Sequence, residues 1–438
     1  MNYRVYVLML LILPEIVFAQ VNQNRVITAG PFVGSVTTSS AKVWLSCRGS
    51  GEYRVTLWDS IEDKHSTSIA SHAIANSKGD TSLILDYTGL QAGRRYKVIF
   101  SDMRTKLLTP PCYFTTQSPE PVKDLDFLVG SCALLNTGFT GVFFPGLDIR
   151  IFTPMTKAKT DFMLWLGDNI YYLGRDYKGY NNMFNRNLKI RRNFKTLDFF
   201  LASKPQYSIW DDHDYGWNDS DRHFPLKDTA LTIFRGFWPN TYEDTVKETY
   251  FTFRYSDAEF FMTDGRWFRE TPGDTAGDFL GPQQLAWLKN KLLKSDATFK
   301  FICMGSQVLN DNEHGESYAH YPKERNNLLD YIVDNDIKGV IFLTGDKHYT
   351  ELSKRNWKGY TFYDFTSSPI TSPVVPKMLQ GLENSYGVKG TVLNHKNYGR
   401  IKITGPAGSR ICKLEIYGQA GKLRWDYTVK PEELKRNK

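Results

Sequence analysis

Three separate stretches of this 438-residue chain pass from a short apolar run straight into side chains that bind metals. FMLWLGDNIYY carries Asp168 and Tyr171 beyond Phe162–Leu166, and YSIWDDHDYG carries Asp211, Asp212, His213 and Asp214 beyond Tyr207–Trp210. VIFLTGDKHYTEL carries Asp346 and His348 beyond Val340–Leu343, and a fourth stretch, LDFLVGSCA, sets Cys132 beyond Phe127–Val129. Two or three cations held close together can clamp a phosphate, ionise a water and neutralise a leaving oxygen. That chemistry asks for a carboxylate that bridges metals, terminal ligands of matched hardness and a histidine that holds no metal. Asp168 is the candidate bridge. Cys132 as a thiolate and Tyr171 as a phenolate point to iron, as Fe(III), rather than magnesium. Asp212 and Asp346 offer the hard oxygens that calcium takes.

The elements that must position these groups follow from the apolar runs themselves. Each run lacks polar alternation, the mark of a strand buried on both faces in an α/β sheet. Ligands of open α/β sheets bind beyond the carboxyl ends of the strands, so four such ends imply one polynuclear metal site. A single Gly-Asp pair would pass for a turn and a DDHD cluster for a polar loop. The repetition at four strand ends is what argues for a site.

Between residues 123 and 431 strand-like and helical patterns alternate, which predicts an α/β catalytic domain. Helices are expected near Arg191–Ser203 and after Pro225, through ALTIFRGFW. GPQQLAWLKNKLLKSD repeats Leu285, Leu288, Leu292 and Leu293 at helical spacing, and ERNNLLDYIVDNDIKG forms a further helix. Hairpins are expected at Ser256-Asp257 and at Gly418–Gly421. Residues 25–116 read instead as short alternating strands, an all-β domain. In TGLQAGRRYKVIF, Tyr96 stands where a tyrosine of fibronectin-III-like sandwiches bonds back to the E–F corner. TTQSPEPVKD, at 115–124, reads as the linker.

Composition narrows the setting. Residues 1–19 have the outline of a secretory signal peptide, and Pro14 and Glu15 interrupt the apolar run well short of a membrane span. An exported protein without a transmembrane segment is expected. The formal net charge of +8 suits anionic substrates. No nucleic-acid module is recognisable, so a phosphate ester substrate is expected rather than a stable nucleic-acid partner. The five cysteines include no CxxC pair, which argues against a zinc ribbon. Cys132 is assigned to chemistry and Cys303 to packing, and a Cys47–Cys112 bridge in the first domain stays open.

The ordered set GSC, GDNIYY, WDDHDYGWNDSD, GSQVLN, YPKERN, LTGDKHYTEL and YDFTSSPITSP resembles the PhoD-type alkaline phosphatases of the metallophosphoesterase superfamily, from about residue 27 to the last strand. The resemblance implies a four-layer αββα metallophosphoesterase sandwich preceded by a fibronectin-III-like domain. It also implies a site of Fe(III) and calcium that hydrolyses phosphomonoesters and phosphodiesters at alkaline pH. Carried over residue by residue, Cys132, Tyr171 and His348 match iron ligands, Asp168 the bridge and Asp346 a calcium ligand. Asp212 takes the place of an Asn in the wider superfamily, and His213 matches the histidine that contacts the scissile phosphate without holding metal. Asp211, Asp214, Asn218, Asp219 and Asp221 follow as further polar groups, Asn218 being chosen as an additional ligand. Asn169 stands where the best-known members have Tyr. The absence of a DxH motif at the first strand favours this branch over zinc and manganese enzymes.

The expected enzyme is a monomer in which a metal-activated water attacks phosphorus while Arg235 and Arg266 neutralise the phosphate. One alternative is a phospholipase D-like diesterase on lipid, nucleic acid or cell-wall polymer. The short segment between Asp168 and Asp211 suggests an open cleft that would suit such substrates. The other alternative, a non-catalytic surface protein binding glycan or protein, would predict a decayed metal site.

Overall fold

A computed structural model describes residues 27–48, 53–59, 68–102, 109–135, 148–243, 247–273, 277–311, 315–374 and 383–436. The expected signal peptide lies outside them. Seven strands come first: β1 (Ile27–Gly34), β2 (Ala41–Arg48), β3 (Tyr53–Asp59), β4 (Ser68–Ala75), β5 (Asp80–Tyr87), β6 (Arg95–Asp102) and β7 (Cys112–Thr115). They form two sheets, ordered β1-β2-β5-β4 and β3-β6-β7. Val43, Leu45 and Leu85 of one sheet meet Leu57, Val98, Phe100 and Phe114 of the other in a common core. The Tyr96 hydroxyl accepts the backbone N–H of Gln91 at 2.9 Å, so the side chain does bond back to the turn before its strand. Cys47 and Cys112 are free, buried thiols and form no bridge.

The outer face of the β1-β2-β5-β4 sheet is not left to solvent. Phe32, Trp44 and Ile84 pack into the same core as Phe184 and Phe237 from later helices and Trp238 just beyond. Trp44 Nε1 donates to Ser82 Oγ at 2.6 Å and to the Gly236 carbonyl at 3.2 Å, and Ser82 Oγ donates to that carbonyl at 2.7 Å. Gly236 permits this approach: a Cβ there would meet Ile74 Cδ1 at 2.1 Å. The proline-containing segment 115–124 thus separates two strand patterns, yet the packing runs across it.

The rest of the chain builds two six-stranded sheets. The first, ordered β10-β9-β8-β17-β18-β19, uses β8 (Leu125–Gly130), β9 (Phe162–Leu166), β10 (Gln206–Ile209), β17 (Asn397–Thr404), β18 (Ile411–Gly418) and β19 (Leu423–Val429). The second, ordered β11-β12-β13-β14-β16-β15, uses β11 (Phe251–Tyr255), β12 (Ala258–Met262), β13 (Phe299–Met304), β14 (Val340–Thr344), β15 (Glu351–Trp357) and β16 (Tyr360–Thr366). Both expected hairpins are present, β11–β12 and β18–β19. Phe127, Leu164 and Ile209 of the first sheet meet Phe260, Phe301, Cys303 and Leu343 of the second in a dry interlayer. Each such aromatic or aliphatic side chain stabilises the fold by roughly 1.5–3 kcal/mol.

Helices cover the outer faces, giving four layers. Phe152–Lys157, Tyr180–Asn193, Lys195–Leu201 and Lys227–Phe237 contribute to the core outside the first sheet, and Gly281–Lys294 and Pro322–Asp334 to the core outside the second. The single helix expected near Arg191–Ser203 is instead the end of one helix and all of another. Phe194, at φ −107° and ψ 87°, breaks the hydrogen-bonded spiral between them. No helix among the described residues is long and apolar enough to cross a membrane.

Candidate metal centre

β8, β9 and β10 run parallel, and so do β12, β13 and β14 in the facing sheet. Their carboxyl ends therefore open on one edge of the sandwich. From the first sheet come Cys132, Asp168 and the segment Asp211–Asp214; from the second come Arg266, Glu316, Asp346 and His348. Four of these, Cys132 (φ 58°), Asp168 (φ 55°), Asp346 (φ 69°) and His348 (φ 54°), adopt the left-handed backbone region. Non-glycine residues occupy that region at an energetic cost, and such strain concentrates at functional sites. Here each strand end kinks sharply enough to turn its side chain across the sheet edge.

Ligand atoms of Cys132, Asp168 and His348 lie within 4.8 Å of one another, as do those of Asp168, Asp212 and His213. Asp168 belongs to both groups. Its Oδ2 lies 3.4 Å from Cys132 Sγ and accepts the Tyr171 hydroxyl at 3.0 Å, while its Oδ1 accepts the His213 N–H at 3.2 Å. Tyr171 also stands 3.4 Å from His348 Nε2, and its ring lies against that of His213 with centroids 4.1 Å apart. Two further groups are made only of carboxylates: Asp211, Glu316 and Asp346, and Asp212, Asp219 and Glu316.

His213 directly follows Asp212, and in a strand the two would face opposite ways. A single helical turn, Asp212–Tyr215, resolves this and presents both to one place. Gly216 closes the turn at φ −163°, an extended value open to any residue, so no unusual backbone angle is needed there. The glycine is required for space, because a Cβ would meet Ser220 Oγ at 2.7 Å and Phe224 Cγ at 2.8 Å. The chain then folds back, and the Asp219 N–H donates to Asp212 Oδ2 at 2.8 Å. The carboxylate of Asp219 thus reaches ligand distance of Asp212 and Glu316, with Asn218 beside it on the same exposed turn. Asp214 points the other way: it accepts the N–H groups of Asn169, Ile170 and Asp211 and the Asn169 amide. Asn169 also donates to the Ile209 carbonyl at 2.8 Å, so it ties the β9 loop to the end of β10.

The two arginines expected at the phosphate are engaged elsewhere. Arg235 donates to the Glu248 carbonyl at 2.5 Å and stacks on Tyr242 at 4.8 Å, within the helical layer. Arg266 is fully enclosed. Its Nε donates to Asp211 at 2.6 Å, Nη1 donates to Glu316 at 2.9 Å and to the Ser220 carbonyl at 3.1 Å, and Nη2 pairs with Glu316. A guanidinium consumed in this way holds the wall of the site and presents no donor to a substrate.

Sequence reasoning missed Glu316, Arg269 and Lys347. Arg269 Nη2 lies 2.6 Å from Glu316, and Lys347 donates to the Glu316 carbonyl while standing 3.6 Å from Asp346. Glu316 lies in the long connection that follows β13, a fifth strand end, but too far beyond Met304 for the apolar run FKFICMG to signal it. The serines of YDFTSSPITSP also act: Ser368 Oγ donates to Cys132 Sγ at 3.2 Å and accepts the His348 N–H at 2.9 Å, and Ser372 Oγ donates to Tyr171 at 2.9 Å.

Seven carboxylates, those of Asp168, Asp211, Asp212, Asp214, Asp219, Glu316 and Asp346, gather beside three side-chain cations among the described residues, Arg266, Arg269 and Lys347. Burial pushes the Cys132 thiol up to about 12, with the negative Asp346 adding to it. Burial also raises Asp346 to about 6, despite Lys347, and lifts Asp168, where Asp212 and Cys132 reinforce the shift. Tyr171 rises well above its usual range through burial and then Asp168. Against burial, His213 and Arg266 hold Asp212 below the usual carboxylate range, and Arg266 and Arg269 do the same for Glu316. The raised groups keep their protons until positive charge arrives, and bound cations reverse that preference. The donors also divide by kind. Sulfur, phenol and imidazole surround one oxygen of Asp168, whereas Asp211, Asp212, Asp219, Glu316 and Asp346 offer oxygen alone. The residues present fit a strongly acidic metal that takes sulfur, phenolate and nitrogen on one side and an oxygen-bound cation on the other.

A family model described as PhoD-like phosphatase matches residues 127–405. The chain is 22% identical to alkaline phosphatase D of Bacillus subtilis (strain 168) over 379 aligned positions, covering 72% of this chain and 60% of that protein. It thus spans about 60% of the length of that curated relative. A solved structure described as the structure of PhoD matches with a TM-score of 0.70 at 18% identity, covering 92% of this chain and 91% of the other. At that identity the likeness establishes a common fold.

Proposed function

The chain belongs to the PhoD-like phosphatase family, and from that premise we propose that it is a metal-dependent phosphoric ester hydrolase. In this reading it is exported, monomeric and active at alkaline pH on phosphomonoesters, phosphodiesters or both. The observation that carries the reading is the double membership of Asp168, which lies within ligand distance of Cys132 and His348 on one side and of Asp212 and His213 on the other. Cys132, Tyr171, His348 and Asp168 would hold Fe(III). Asp212 and Asp346, with Asn218 as a further oxygen donor and Asp219 and Glu316 close by, would hold calcium. Bound there, the cations would ionise a water and neutralise the charge of the phosphate.

The chain's own groups do the rest. Asp168 fixes the separation of the two halves of the site, and Ser368 and Ser372 hold Cys132 and Tyr171 in place. Against its burial, Arg266 and Arg269 hold Glu316 charged, and Arg266 fixes Asp211 in place. His213, with its side chain 21% exposed, is the group open to a substrate; it would donate to a phosphate oxygen in the transition state or protonate the leaving oxygen. Residues 25–116, read as a fibronectin-III-like domain, would supply a scaffold to the catalytic domain over 123–431.

The test is elemental analysis of the purified protein together with assays on p-nitrophenyl phosphate and bis(p-nitrophenyl) phosphate at alkaline pH. Hydrolysis of at least one ester, lost on metal removal, is expected. Protein that carries iron and calcium and hydrolyses neither ester would overturn the proposal.

A further inference from the structure

Leu173 and Trp217 are large apolar side chains left 36% and 50% exposed, and they leave the chain at neighbouring points. The hydroxyl of Tyr177 lies 3.1 Å from the Tyr172 carbonyl and 2.8 Å from the Gly216 carbonyl, donating to both. Those carbonyls belong to the peptide groups from which Leu173 and Trp217 emerge. The two peptides are therefore no farther apart than those two bonds laid end to end. Trp217 is also held from below, with its ring edge-on to Phe224 at 5.0 Å and 6.1 Å from Tyr177.

This pair stands at the site. Leu173 follows Tyr171 by two residues, and Trp217 lies in the turn that returns Asp219 to Asp212. Isolated exposed apolar residues are ordinary on protein surfaces, and Phe199 and Leu293, on outer helices, are of that kind. Leu173 and Trp217 differ because one hydroxyl clips them together beside Tyr171 and His213. A flat indole face braced from beneath offers apolar contact area at little entropic cost.

We propose that Leu173 and Trp217 form an apolar lip that recognises the alcohol portion of a phosphoester, selecting esters whose leaving group is an apolar ring over those of small polar alcohols. The inference rests on the hydrolase reading for the placement of the phosphate, and its test separates the two. Binding of 1-naphthylmethylphosphonate and of methylphosphonate to the metal-loaded protein is measured by calorimetry for the wild type, Trp217→Ala and Leu173→Ser. The wild type binds the naphthyl compound roughly 10-fold more tightly or better, the scale that apolar pockets achieve. Trp217→Ala brings the two affinities to within about 2-fold while leaving that for methylphosphonate unchanged. Leu173→Ser moves in the same direction and serves alone if Trp217→Ala does not fold. Equal affinities in the wild type, or equal weakening of both ligands in the variants, would overturn the lip. Selective naphthyl binding without turnover of 1-naphthyl phosphate would uphold the lip and sink the hydrolase.

Discussion

Cys132 Sγ and Asp168 Oδ2 lie 3.4 Å apart, each at the end of one of two adjacent parallel strands and each in the left-handed backbone region. The Ala133 N–H donates to the Asp168 carbonyl at 2.8 Å and the Cys132 N–H to that of Gly167 at 3.2 Å, so the two loops continue the sheet's pairing past its edge. Backbone hydrogen bonds thereby set the two positions, and Ser368 fixes the thiol.

The phenol of Tyr171 and the thiol of Cys132 make colour a direct readout. Protein loaded with Fe(III) is expected to show a visible charge-transfer band. Tyr171→Phe should shift or bleach that band and leave the far-ultraviolet circular dichroism unchanged. Colourless, fully active protein containing only zinc or manganese would refute the iron assignment.

Calcium should be separately removable. Asp212, Asp219, Glu316 and Asp346 offer only oxygen. A calcium-selective chelator is expected to abolish turnover with iron retained, and added calcium to restore it. Turnover that persists after verified calcium removal would refute the second metal.

The two histidines should part company in mutagenesis. His213→Ala is expected to lower kcat by roughly 10²-fold, as the loss of one transition-state donor does, with iron and calcium contents unchanged. His348→Ala should lose iron first and activity as a result. Since His213 is itself within ligand distance of Asp168 and Asp212, metal content is the deciding measurement. Equal iron loss from both variants would show that the roles are wrongly divided.

Acid stability should report the pair that joins the first domain to the helical layer. Asp80 accepts Arg48 Nε and Arg192 Nη2, both at 2.7 Å. Burial alone would raise its carboxyl, but the hydrogen bonds from Arg48 and Arg192 outweigh it and hold the group at about 2. A carboxyl held below its unfolded value stabilises the fold above that unfolded value, near pH 4, and loses the contribution as pH falls towards about 2. Asp80→Asn is expected to lower stability by roughly 2 kcal/mol at neutral pH, between an exposed and a buried pair. The difference from the wild type should shrink across that acid window in urea titrations. A difference that does not vary with pH would assign the effect to something other than charge.

Much of the site was legible because strands buried on both faces are written as unbroken apolar runs, so the residue types that follow stand out. Asp168, Asp346 and Cys132 stand at three such ends, and the fold brings them together. Glu316 was not legible, because several loop residues separate it from β13 and no apolar run abuts it. Arg235 and Arg266 were misplaced for a related reason: a guanidinium says nothing locally about its partner. Glu316 is 50 residues from Arg266 in sequence, and Asp211 is 55. The break at Phe194 was hidden because both helices around it carry the same apolar periodicity.

Trp44, seated between Ser82 and the Gly236 carbonyl, carries a consequence for how the molecule comes apart. Its indole is shared property: pulling the first sheet away would strip the helices of a wall, and unfolding the helices would leave that sheet with a bare apolar face. Each half therefore stabilises the other. Heat should take the chain through one cooperative transition, and a cut within 115–124 should yield two fragments that hold shape only together.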